Sequence, residues 1–481
     1  MKMHSNSEVD GEPTSQRQGH APQSSPLTLL PLVAIIFYEV SGGPFGLEGA
    51  VYAGGPFYSV LGFVALPLIW SIPEALMAAE LSTMFPENSG YVAWITAAFG
   101  PFWGFQEGLW SYLSGVSDNA IYPVLFLSYL VKAAPVLEEG LWHWVFLFTT
   151  VFILTYLNYR GLTLVGRLAI VLTACTLLPF VVLVLIGIPK INPKNWGKMK
   201  AGKVHWGDFL QNIFWNVNYW DSASTLAGEV ADPKRDFSRG LFFAGLLVIC
   251  SYVFPLLVGL GTHPNSDLWE DGYLETIAND VGGRWLGIWI LVSAALSNIG
   301  QFEAEMSSDS FQLQGMAERG MLPAFLAKKS QYGTPLVPIV LSSLGVATQI
   351  SKSFSSVVEL VNVLYCMAAL LEIAAFIKLR IARPDIPRPF TVPLGTCGCA
   401  LMLVPAVIFC GLIICTSSWQ NMLVAGAVLP TGIFLYGLID QARKRSWCHF
   451  YPLNYTMPPE CQVGEEMPPE TASYSALRGA P

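Results

Sequence analysis

Acidic side chains stand inside stretches otherwise apolar enough to cross a bilayer: Glu39, Glu48, Glu74, Glu80, Glu107, Asp118, Asp221, Glu303, Glu305, Asp309, Glu359 and Glu372. A charge at the centre of a membrane helix costs about 2.5–3.5 kcal/mol. Four such carboxylates would cost about 10 kcal/mol, as much as the whole stability of a domain. No lysine or arginine falls at comparable sequence depth to neutralise the central ones. Such groups are either protonated or face a water-filled route taken by cations or protons. Both alternatives describe transport.

The acids differ in what their neighbours suggest. Glu39 ends a first half-helix, where the backbone dipole favours positive charge; the alternative is a protonated structural acid. Asp221 opens a second half-helix as an ammonium or proton ligand, or as its N-cap. Asp118 sits among Ser114, Ser117 and Asn119, either as a ligand or as a polar clamp between helices. These three are the proton-coupling candidates. Glu303 and Glu305 are two residues apart and cannot share a helix face, so at most one lines the route; Glu303 is assigned to the substrate set, with Glu305 the open alternative. Glu74, Glu80, Glu359 and Glu372 are read as packing or helix-end residues. Trp215, Tyr219 and Trp220 crowd Asp221, and rings beside carboxylates suit organic ammonium groups, with cation–π contacts worth up to about 2 kcal/mol when desolvated.

The elements that must hold these groups follow from composition. Of 481 residues, 53% are hydrophobic and 12% charged, against about a quarter charged in soluble proteins. Disordered chains, coiled coils and nearly every soluble enzyme are excluded. A net charge of −8 argues against nucleic acid as a partner, and nine cysteines are too sparse for a disulfide scaffold. Apolar runs long enough to span a bilayer recur and are read as twelve spans: 28–55, 57–84, 102–131, 141–158, 162–186, 208–230, 238–261, 284–310, 336–351, 356–380, 398–416 and 419–439. Residues 86–101 read as re-entrant or interfacial. The domain reading is a disordered tail (1–26), one membrane domain (27–440) and a C-terminal tail (441–481). Most of the 26 lysines and arginines fall on the side of the two tails, so both termini are expected in the cytosol. Lys190, Lys194, Lys198, Lys200 and Lys203 crowd one outside loop and are the exception, set against an acidic outside loop carrying Asp267, Glu270, Asp271, Glu275 and Asp280. The sequon at Asn454 falls in the inner tail.

Two spans are interrupted. Span one contains Ser41-Gly42-Gly43-Pro44-Phe45-Gly46, and span six contains Trp215-Asn216-Val217-Asn218-Tyr219-Trp220-Asp221-Ser222. Unwound backbone survives in a membrane only where it is buried in protein or lines a cavity. The breaks occupy the first and sixth positions, matching places in two consecutive five-span units, which points to an inverted-repeat carrier with its site at the breaks. Ser41, Gly42, Gly43 and Gly46 join the substrate set, the glycines permitting the turn.

The broken first span, Ala79-Glu80-Leu81-Ser82 followed by Pro86-Glu87-Asn88-Ser89-Gly90-Tyr91, and Asn158-Tyr159-Arg160-Gly161 together resemble the amino acid–polyamine–organocation transporters. Gly228-Glu229-Val230-Ala231-Asp232-Pro233-Lys234-Arg235 and Ala317-Glu318-Arg319-Gly320-Met321-Leu322-Pro323 are similar to that superfamily's cytoplasmic signatures. Residues 37–46 resemble its plant polyamine uptake branch, related to the L-type carriers. The resemblance covers about residues 28–440. It implies an all-α fold like that of the leucine transporter, with a 5+5 inverted repeat, broken helices 1 and 6 and two added helices. It further implies proton-driven uptake of putrescine, spermidine and spermine, transport of paraquat, and Trp220 as the aromatic gate. The amino-acid carriers hold a substrate carboxylate on free amides of a Gly-Ser-Gly-Ile-like turn. Here Pro44 has no amide hydrogen and Asp221 adds negative charge, so a substrate bearing only amines is favoured.

The function expected is a plasma-membrane polyamine–proton symporter working by alternating access, with an endomembrane as the alternative residence. An amino-acid or cationic amino-acid permease of the same fold is the alternative function. No hydrolase, metalloprotease or phosphate-loop motif occurs, so neither an enzyme nor a cofactor or metal is expected. Ser293, Ser297, Ser307 and Ser308 leave sodium open as the coupling ion.

Overall fold

The computed structural model describes residues 27–131, 134–352 and 354–453. The expectations for residues 1–26, for Asn454 and for the chain beyond it lie outside the described residues. Long runs of Leu, Ile, Val, Phe and Ala, with no water in a bilayer to satisfy backbone groups, leave helix as the local solution. Among the described residues there are helices and two isolated bridges but no strand.

The first helix, α1 (Leu29–Val40), stops at Ser41. Residues 41–46 are unwound, with Gly42 at φ 63° and Gly43 and Gly46 also at positive φ. At Gly42 the close approach of α12 also demands glycine, because a Cβ there would lie 2.4 Å from the Gln301 side chain. The chain resumes as α2 (Leu47–Leu66), reverses at Gly55 (φ 80°, ψ 175°), and runs through a π turn (Pro67–Ser71) into α3 (Ile72–Met84). Next come α4 (Tyr91–Phe99), α5 (Pro101–Asn119), α6 (Ile121–Val131), α7 (Leu141–Tyr159) and α8 (Leu162–Gly187).

The second interruption separates α9 (Trp206–Trp215) from a 3-10 helix, Ser222–Glu229. The remainder is α10 (Pro233–Thr262), α11 (Tyr273–Gly282), α12 (Arg284–Glu318), α13 (Leu336–Gln349), α14 (Phe354–Ala382), α15 (Thr396–Thr416) and α16 (Trp419–Lys444).

Among the described residues, eight helices are long and apolar enough to cross a membrane, with α1 and α13 as shorter apolar helices. The elements missing from that set have physical reasons. The half before the first break and both halves around the second are too short, and α5 carries Gln106, Glu107, Ser111, Ser114, Ser117 and Asp118. Apolarity is lowest where polar groups are gathered inside.

Residues 86–101, read as re-entrant or interfacial, contain a nine-residue helix, α4, whose Val92–Thr96 stretch is buried against α5 and α14. Two local expectations change. The half-span after the second break is 3-10 and not α. The eighth span continues well past residue 310, because almost every residue of α12 from Gly300 to Ala317 is buried. Helix α12 is the axle of the molecule, packing on α1, α5, α6, α8, α11 and α13. Helices α15 and α16 stand outside with Leu401, Ile408, Leu423 and Phe434 exposed, apolar surface of the kind that faces lipid. After Lys444 the chain folds back on the 320s loop, where the Ala324 amide donates to the His449 carbonyl at 2.9 Å.

Candidate functional site

The two interruptions face each other across α12. At the first, the carbonyls freed by unwinding are taken by α12: Ser297 Oγ donates to Gly42 O (2.5 Å) and Gln301 Nε2 to Ser41 O (3.3 Å). The amides find acceptors locally. Those of Ser41 and Gly42 donate to Phe37 O, that of Gly43 to Ser41 Oγ, and that of Gly46 to Glu48. At the second, Ser71 Oγ and Trp220 Nε1 both donate to Val217 O (3.1 and 2.9 Å). Tyr219 adopts φ 67°, a left-handed conformation rare outside glycine, and its amide donates to Tyr365 Oη at 2.9 Å. Asn216 Nδ2 donates to Gly46 O (3.2 Å), joining the breaks directly. Ser308 joins them again, donating to Glu39 (2.6 Å) and reaching Ser222 O (3.3 Å).

Carboxyl groups converge between the breaks. Asp118 accepts from Trp215 Nε1 (2.7 Å) and Tyr122 Oη (2.8 Å), and Glu305 comes within hydrogen-bonding reach of it. Glu39, Asp118, Asp221, Glu305 and Asp309 are all at least 96% buried. Glu39 Oε2, Asp309 Oδ2 and both Glu305 oxygens have no hydrogen-bond partner. Two cavities of about 10 Å³ each lie here, room for about one water apiece. Glu39 and Tyr219 line both. A space this small describes a closed site that must open to admit a substrate.

Of the expected substrate residues, Glu39, Ser41, Asp118 and Tyr219 meet at the first cavity, and Glu39, Tyr219 and Asp221 at the second. Gly42, Gly43 and Gly46 shape the first break.

Two assignments change. Glu303 faces α7, where Asn158 Nδ2 donates to its carbonyl (2.8 Å) and its carboxyl (3.3 Å); Glu305 is the one at the cavity. The reason is helical phase: Gln301, Glu305, Ser308, Asp309 and Gln312 share one face of α12 and Glu303 does not. Trp220 lies within the break but is almost fully buried, and it lines a groove of about 850 Å³ between α3 and α10 and neither of the two small cavities. Trp215 is the ring that touches Asp118.

The N-cap alternative for Asp221 also falls away: its side chain makes no cap hydrogen bond and instead accepts from Tyr365 Oη at 2.8 Å. Residues passed over in the sequence were Glu74 and Tyr365, and Glu107 with Glu372. Their signal was a stripe on α5, Glu107, Ser111, Ser114, Gly115 and Asp118, at i, i+4, i+7, i+8 and i+11.

The family-like motifs fold together at one end. Arg380 binds Glu80 in a buried pair, Nε donating at 2.9 Å, and Arg388 joins at 3.2 Å. Glu80, read from the sequence as a packing or helix-end residue, has resident bases, because both arginines reach back from the far end of α14 and its loop. Arg319 Nε donates to Glu87 (2.7 Å), Asn88 Nδ2 to Glu229 (2.9 Å), and Lys329 pairs with Glu229 at 2.5 Å. At the other end, Lys200 pairs with Asp267 (3.1 Å) and Lys190 donates to Val281 O (2.5 Å). The lysine-rich and acidic loops thus partly neutralise one another.

A polytopic bundle with two interrupted helices meeting over buried carboxyl groups, closed at both ends by polar contacts, is a membrane carrier. The amino acid permease family matches residues 27–435, and the chain belongs to that family. It is a transport protein and not an enzyme. A probable polyamine transporter of Arabidopsis thaliana is 50% identical over 94% of this chain and 96% of its own length. The polyamine transporter RMV1 of the same plant is 48% identical, covering 92% and 90%. The polyamine transporter PUT1 of Oryza sativa subsp. japonica is 47% identical, covering 96% and 87%.

Proposed function

We infer that the chain carries polyamines inward across a membrane by alternating access, coupled to protons. The observation that carries this reading is the interior itself: Glu39, Glu305 and Asp309 surround the breaks with carboxyl oxygens left unpartnered, Asp118 accepts only from Trp215 and Tyr122, and among the described residues no lysine or arginine is bonded to any of the four. A visiting cation completes such a site. The first break supports amines over amino acids, because the amides of Ser41, Gly42, Gly43 and Gly46 already have acceptors and Pro44 has no N–H. The polyamine transporters among the relatives support the same substrate class.

The architecture proposed is twelve spans: the eight long apolar helices, the two broken ones, α5 with α6, and α13. Their order, with breaks in spans one and six, supports a 5+5 inverted repeat. Arginines gathered at the Glu80 and Glu87 end support that end, and both termini, facing the cytosol. The plasma membrane is the proposed residence, and paraquat, a dication without N–H donors, a further substrate.

Protons are proposed as the coupling ion. Asp118 and Glu305, in mutual reach, can bond to one another only through a proton.

Uptake of labelled spermidine and arginine in a transport-deficient host tests the substrate. Spermidine enters and competes; arginine entry with no spermidine entry or competition would overturn it. Uptake persists without sodium and collapses with a protonophore; the reverse pattern would reassign the ion.

A further inference from the structure

A second group of acids lies on the other side of Tyr219. Tyr365 Oη on α14 contacts the Glu74 carboxyl of α3 and donates to Asp221 of the second break (2.8 Å). Glu372, two turns further along α14, comes within hydrogen-bonding reach of both Asp221 and Glu107. Four elements thus bring Glu74, Glu107, Asp221 and Glu372 to one place, each at least 96% buried. Glu74 Oε2, Glu107 Oε2 and Glu372 Oε1 have no hydrogen-bond partner. The bases at that end of α14 are committed elsewhere, Arg380 to Glu80 and the carbonyls of Val392 and Leu394.

The second cavity brings members of both groups to one lining, Glu39, Glu305 and Asp309 together with Asp221, and with Tyr365 and Ser111, which bond to Glu74 and Glu107. Ser111 Oγ donates to Glu107 (3.1 Å), and Ser114, a turn above, shares a hydrogen bond with Tyr219 Oη (2.7 Å). Along α5, Asp118 marks one group and Glu107 the other. Eleven residues of helix separate them, about 16 Å of axis. A four-carbon diamine is too short to touch both ends, whereas an extended tri- or tetraamine spans most of that length with its charges spread along it.

We propose that Glu74, Glu107 and Glu372 around Asp221 form a second ammonium station, so that a long polyamine is held at both stations at once and the carrier selects by the distance between terminal amines. This deepens the polyamine reading and rests on it. The second amine binds by mass action at high effective concentration once the first is held, so affinity rises where chain length reaches the second station.

The test uses the full-length protein in proteoliposomes, with putrescine, spermidine and spermine as competitors of labelled spermidine, and then a series of α,ω-diamines of increasing length. On the wild type, inhibition constants fall in a step at one chain length. Smooth change with no step overturns the proposal, and this arm needs no variant to fold. In Glu372→Gln and in Glu107→Gln, the spermine-to-putrescine affinity ratio falls about tenfold, the worth of one lost charged contact. Equal loss for all three amines, or an unchanged ratio, overturns it. Glu359→Gln, hydrogen-bonded to Ser418 and Asn421 at the rim, keeps the wild-type ratio. A wild type that accumulates arginine and no polyamine fails the functional reading itself, an outcome distinct from a polyamine carrier without a length step.

Discussion

The acids at the rim and the acids at the centre are built in opposite ways. Glu80 is enclosed by Arg380, Arg388 and the Val392 amide, and Glu87 and Glu229 are held by Arg319 and Lys329. Glu39, Glu305 and Asp309 are equally buried, yet hydroxyl groups and neighbouring acids are their surroundings, and oxygens remain unpartnered. Removing one partner of a buried ion pair leaves an uncompensated charge, so the rim pairs are parts of the scaffold and the closure. A buried acid with no base is either held protonated or completed by a mobile cation. Position relative to the helix ends decides between the two groups of acids: arginine side chains reach the rim acids from helix ends and loops, and among the described residues none is bonded to the acids at the breaks.

That contrast predicts different phenotypes. The largest effect is expected from Glu39→Gln, which removes the charge proposed to meet the substrate. Uptake falls by about 10- to 100-fold, for a loss of about 1.5–3 kcal/mol, while the thermal transition of the purified protein stays near wild type. A loss of folding in place of uptake would place Glu39 with the rim acids. Glu80→Ala is expected to do the reverse, lowering stability by about 3–5 kcal/mol by stranding two arginines, read as a clear fall in the thermal transition in detergent. Retained stability would mean the rim pair is a gate and not scaffold.

Next in size, Trp215→Phe removes the indole N–H donated to Asp118, and uptake falls about tenfold. Trp220→Phe loses a bond to Val217 O and costs about 0.5–1.5 kcal/mol of stability with little change in uptake. The reverse ranking would restore Trp220 as the gate. The smallest effects sharpen the pair on α12. Glu303→Gln keeps an acceptor for Asn158, and uptake stays within about twofold, whereas Glu305→Gln lowers it about tenfold. Equal effects would undo the distinction drawn between the two faces of that helix.

Much of this was legible in the chain. Apolar runs fixed where helices must form, because backbone groups in lipid have no other partners. Ser41 to Gly46 announced the first break, since a proline and three glycines cannot continue a helix there. Glu39, Asp118 and Asp221 were recognisable as acids in apolar surroundings. What stayed hidden was pairing across helices. Nothing in the sequence near Glu80 mentions Arg380, three hundred positions away, and nothing near Asp221 mentions Tyr365 or Glu372.

The sequence by itself determined the medium the protein lives in, the location of its interruptions and the excess of interior acid, because hydrophobicity and backbone propensity are local properties read along the chain. Only the tertiary structure decided which acids keep a base, which of Glu303 and Glu305 faces the cavity, and that Trp215 and not Trp220 covers Asp118. Those outcomes depend on helix rotation and on contacts between residues remote in sequence, where a shift of one or two positions turns a side chain from one neighbour to another.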